Sequence, residues 1–146
     1  MNPLTSFGDI TRVIQLAVAP VFLLTGVGTL LAVLTNRLGR AVDRSRIVEK
    51  LLFESTGEAL AAAHEELRLL ARRTQLIYAS ITLAVLCALF ICLLIAVAFL
   101  DAFVAANLAK VVGILFVMAM LALIGCLVVF LREIFLAVTS AKRWMR

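Results

Sequence analysis

The sequence predicts an all-α integral membrane protein with three transmembrane helices, the first two extended into a cytoplasmic antiparallel helical hairpin. Three observations carry this reading. Hydrophobic residues make up 64% of the 146, with a mean hydropathy of +1.14, where soluble domains hold about 45–50% apolar residues. Three runs carry no charge: residues 13–36, 74–100 and 111–131. Between the first two runs, apolar residues keep helical spacing through an otherwise charged stretch.

The runs are 24, 27 and 21 residues long, and a helix needs about 20 to cross the bilayer core. Lipid cannot satisfy free backbone groups, so each run should be helical. The first is not a cleavable signal peptide. "MNPLTSFGDI" has no Lys or Arg, and such peptides have a basic start and a shorter apolar core. We therefore read residues 1–146 as one membrane domain: three spans, a hairpin over 37–73 and a basic tail over 132–146. Cys87, Cys92 and Cys126 all fall inside the spans. Cys87 and Cys92 point about 140° apart on a helix, so small packing residues are expected, and neither a metal nor a cofactor.

An isoelectric point near 9.7 invites a nucleic-acid reading, but the distribution of charge argues against one. Arg12 precedes the first span and Lys110 lies between the second and third. The other twelve basic residues lie between spans one and two or after span three. The positive-inside rule then puts the N-terminus outside and the long connection and C-terminus in the cytoplasm.

That connection reads as two helical arms. Leu60, Ala63, Leu67, Leu70, Thr74 and Ile77 recur at alternating steps of three and four, a coiled-coil-like seam. Leu38, Val42, Ser45, Val48 and Leu52 repeat similarly on the outgoing arm, with Ile47 and Leu51 widening its apolar face. "ESTGE", residues 54–58, is the turn, where Ser55 or Thr56 can cap the second arm. Helices over 9–54 and 57–101 would each run roughly 68 Å, and the hairpin would project about 25 Å beyond the membrane. Ser6 and Asp9 in "SFGD" have capping-box spacing for the start of helix one. Asn107 is the best turn residue in the short outer connection. Trp144 among basic neighbours is expected to anchor at the inner interface.

Helix one carries a polar face. At about 100° per residue, Gly26, Thr29 and Asn36 fall within roughly 60° of Gln15, and Arg37, Arg40 and Arg44 lie on the same side. Polar groups avoid lipid where a partner exists. The first reading is helix packing, with Gly26 and Gly28 allowing close approach and Gln15 and Thr29 bonding across helices. The alternative is an oligomer face or polar path, narrowed by Phe22 and Val33. Pro20 removes one helical hydrogen bond, giving a static kink or a hinge.

"NRLGRAVDRSR", residues 36–46, packs four arginines and Asp43 at the edge of the first run. Arg37, Arg40, Arg44 and Arg46 mark topology and meet anionic lipid head groups. Asp43 is spaced to pair with Arg40 or Arg46, so ion pairing is its first reading, with an anionic head-group site as the second. His64, the only histidine, reads as a partly exposed residue beside the return seam rather than a pH sensor.

No HExxH, nucleophile–base pair or phosphate-binding glycine loop is present. No acid lies inside a span, and Glu133, the nearest on the inner side, sits next to Arg132. An enzyme is disfavoured, and a lipid-modifying enzyme is the only chemical reading kept open. "IQLAVAPVFLLTGVGTLLAVLTNRLGRAVDRSR", residues 14–46, resembles the signature of a bacterial membrane family known as domain of unknown function 2721. The resemblance implies a prokaryotic inner-membrane protein and supplies no activity, ligand or catalytic residue. Two readings lead: a homo-oligomeric assembly, channel-like, built on the polar face of helix one; and an accessory or scaffold subunit docking partners through the hairpin.

Overall fold

The computed structural model describes residues 3–54, 56–104 and 107–144. Among these the chain is all-helical: α1 Pro3–Glu54, α2 Glu58–Val104 and α3 Ala109–Trp144. Within them Val18–Phe53, Glu58–Asp101 and Ala109–Val138 are long and apolar enough to cross a membrane.

α1 begins at Pro3, ahead of the expected capping box. Proline has no N–H and a helical φ, so the first turn accommodates it without loss. Pro20 lies inside the helix and is buried. Between α1 and α2, Gly57 takes a left-handed φ of 66°, which glycine adopts without a Cβ penalty. Thr56 makes no capping hydrogen bond among the described residues, and Ser55 lies outside them. Asn107, the predicted turn residue, has φ 54°. Asp101 closes this second connection by accepting a hydrogen bond from the Leu108 amide at 2.8 Å. Asp101 is the expected end of helix two, and α2 runs three residues beyond it to Val104.

The buried residues keep a seven-residue step. On α1 they are Pro20, Val27, Leu34, Ala41 and Val48. On α2 they are Leu70, Ile77, Ala84 and Ile91, with Ser80, Cys87 and Leu94 filling the intervening positions. On α3 they are Ala119, Cys126 and Glu133, with Ala122. A seven-residue repeat holds one stripe of a helix inward, and Ala, Ser and Cys on it let backbones come close. Hence Cys87 and Cys126 are packing residues, whereas Cys92 is exposed.

The chain divides into two compact units. The first comprises residues up to Leu30 together with Leu83–Ile124, and its core includes Val27, Cys87, Ile91 and Ala119. The second comprises Leu31–Thr82 and the chain from Gly125 onward. Its core includes Leu34, Ala41, Val48, Leu70, Ile77, Ser80 and Glu133. There the Cys126 thiol donates to the Ser80 carbonyl at 3.1 Å, and the Ser80 hydroxyl donates to the Leu76 carbonyl at 3.0 Å.

The predicted seams fall inward. Leu38, Val42, Ser45 and Leu52 are half-buried around Ala41 and Val48, as are Leu60, Ala63, Leu67 and Thr74 around Leu70. Ile47 and Leu51 do not widen that face; both are exposed. Ile47 precedes Val48 by one residue, about 100° round the helix, and Leu51 falls on the outer side of the stripe.

Candidate functional site: an arginine pocket beside a buried glutamate

The site lies in the second unit, where the charged ends of the apolar runs meet. Arg37 is the first charge after run one, Arg73 the last before run two, and Glu133 follows run three by two positions. Glu133 continues the buried step of Ala119 and Cys126, so its carboxylate is fully buried. A buried carboxylate must be paired. Arg73 donates to Oε1 through Nε at 3.3 Å and Nη2 at 3.1 Å. Arg37 Nη1 stands 3.0 Å from Oε2. That approach is close enough for ion pairing but too far off axis for a hydrogen bond, and Oε2 accepts none. Phe130, one turn before Glu133, lies under the Arg37 guanidinium at 5.2 Å, a cation–π distance.

Arg37 and Arg73 also line a cavity of about 380 Å³ with Arg40, Ala41, Arg44 and Leu70. Arg40 and Arg44 are exposed, so the cavity opens to the surface. Arg44 binds Glu66 with both Nε and Nη2 at 2.8 Å from Oε1. Arg40 makes no ion pair among the described residues. Four guanidiniums against Glu133 and Glu66 leave two positive charges in excess. The step of three and four between 37, 40 and 44 puts three arginines on one side of α1, and α2 adds Arg73.

The family described as "Protein of unknown function (DUF2721)" matches residues 17–143. The chain belongs to that family. No curated protein and no solved structure matches it. Every pocket residue, with Glu133 and Glu66, falls inside the stretch that matches the DUF2721 family.

Other predicted residues are placed differently. Asp43 and Arg46 are exposed and form no ion pair among the described residues; Arg44 turns to Glu66 on α2 instead of to Asp43. Gln15, Gly26, Thr29 and Asn36 are all exposed. Among the described residues nothing from elsewhere in the fold comes within 4 Å of a Cβ built on Gly26 or Gly28, and the Thr29 hydroxyl donates to its own helix at the Thr25 carbonyl, 3.1 Å away. His64 is exposed and its Nδ1 donates to the Leu60 carbonyl at 3.0 Å. The Trp144 side chain lies outside the described residues.

The sequence reading sets Glu133 beside Arg132 and gives neither Glu133 nor Arg73 its partner in the fold. One signal for Glu133 was present: it is the only acid after Asp101 and stands seven residues from Cys126. Arg73 was counted only as a topology charge, because nothing in its neighbourhood names a partner sixty residues away.

Proposed function

We propose that the protein is a homo-oligomeric, channel-like assembly of the bacterial inner membrane in which one face of α1 meets other copies or a shared polar path. One observation carries the reading: Gln15, Gly26, Thr29 and Asn36 stay exposed on a segment without charge. Thr29 is satisfied by its own helix, but the Gln15 and Asn36 amides need protein or water, and a symmetry mate offers the same face again. The reading is non-enzymatic and uses no cofactor. Glu133, the acid that membrane phosphoryl chemistry would draw on, is occupied between two arginines. The proposed orientation has the N-terminus outside, with residues 37–73 a hairpin reaching into the cytoplasm. The split of basic residues and the half-buried seams of both arms support it. Native mass spectrometry of the protein released from lipid nanodiscs tests the assembly: several identical chains are expected, and a strictly single chain overturns it.

A scaffold role is the second reading, favoured by Ile47, Leu51 and Phe53. All three are exposed near the α1–α2 turn, with Phe53 at 88%. Single protomers with a partner seated on this end would replace the first reading with the second.

A further inference from the structure

We propose that the pocket lined by Arg37, Arg40, Arg44 and Arg73 binds the phosphate group of an anion. The inference does not rest on the oligomeric reading, since all four residues belong to one unit of one chain. Guanidiniums present planar forks of donors that match phosphate oxygens. Arg37 and Arg73 contact Glu133 with only part of their donor sets, because a guanidinium has more N–H groups than these contacts use. Arg40 is committed to no carboxylate among the described residues. The two excess positive charges are matched by one phosphate monoester or by a pair of diester phosphates. At about 380 Å³ the cavity has room beyond a single phosphate, and Ala41 and Leu70 give it an apolar wall for a glycerol backbone.

The pocket stands at the charged edge of two apolar runs, because Arg37 ends the first and Arg73 begins the second. An anionic lipid head group is therefore the source this position favours, and free phosphate shares the chemistry. Occupancy links α1 to α2 through the arginines that already hold α3 by Glu133, so a bound phosphate should raise thermal stability as well as be retained.

The test uses the full chain in mild detergent. Native mass spectrometry and melting curves are recorded with dioleoylphosphatidylglycerol, dioleoylphosphatidic acid or dioleoylphosphatidylcholine, and separately with inorganic phosphate. The anionic lipids should be retained and raise the melting temperature, while the zwitterionic lipid should do neither. Stabilisation by inorganic phosphate without lipid retention would keep the site and assign it a soluble ligand. Arg40→Ala breaks no internal ion pair and should weaken retention about tenfold, the loss of one charge-assisted contact. Arg72→Ala removes the same charge from an exposed position on α2 outside the pocket and should leave retention unchanged. Equal retention of all three lipids without stabilisation by phosphate, an equal loss in both variants, or full retention in Arg40→Ala would overturn the proposal.

Discussion

Arg73 donates to the same Glu133 oxygen through Nε and Nη2, at 3.3 and 3.1 Å. The contact joins residues sixty positions apart and anchors a fully buried carboxylate. Breaking one partner of a buried ion pair costs about 3–5 kcal/mol, whereas replacing the whole group by apolar residues is often neutral or stabilising.

Glu133→Gln should therefore lower stability by about 3 kcal/mol, because two half-buried guanidiniums lose their counter-charge. Combining Glu133→Leu with Arg37→Leu and Arg73→Leu should recover most of that loss. Melting curves in one detergent would measure both. If Glu133→Gln melts with the unmutated protein, the triad is not holding the helices.

The orientation can be read by labelling. Thr56 is exposed beside the α1–α2 turn, and Lys110 is exposed near the start of α3. With Cys92→Ala as background, Thr56→Cys should react with an impermeant maleimide only after the inner membrane is opened, and Lys110→Cys should react from the periplasm. The reverse pattern would invert the assigned topology.

Much of the fold was legible in the sequence because its causes are local. Absence of charge located the three helices, and Asn107 and the segment 54–58 located the turns. The seven-residue step was partly visible: Val48, Leu70 and Ile77 were picked out, but Ala41 was missed because an alanine carries little apolar signal. The candidate site was half legible. Arg37, Arg40 and Arg44 share a helix face and could be grouped by spacing alone. Arg73, Glu66 and Glu133 belong to other helices, and their pairing depends on the register between helices. A single sequence does not encode that register in any local pattern. Asp43 misled for the same reason: the arginine beside it in sequence, Arg44, is claimed by Glu66 on another helix.

The end of α1 and the start of α2, the two arms over residues 37–73, should protect each other. Leu67 is half-buried beside Leu70, and Arg44 reaches across to Glu66. Leu67→Asp places a charge in that seam and should speed amide exchange over residues 58–73 by about tenfold, a local loss on the order of 1.4 kcal/mol, with all three helices still inserted. Unprotected amides there in the unmutated protein would show that the arms do not pack.

Gly26→Leu separates an interface between copies from a contact within one copy. Among the described residues a Cβ at Gly26 meets nothing within 4 Å from elsewhere in the fold, so a larger side chain has room in the protomer. Glycine is also about 0.8–1.0 kcal/mol worse than alanine inside a helix, and leucine is close to alanine. On local grounds the substitution should leave the single chain as stable as before or more so. A neighbouring copy packed against this face would instead be forced away. Interhelical hydrogen bonds in membranes average only about 0.6 kcal/mol, so Gln15 and Asn36 would not hold the copies together once close packing is lost. Native mass spectrometry should then show a shift from oligomer to single chain, with the helical circular dichroism unchanged. An oligomer that survives Gly26→Leu intact would move the interface off this face of α1.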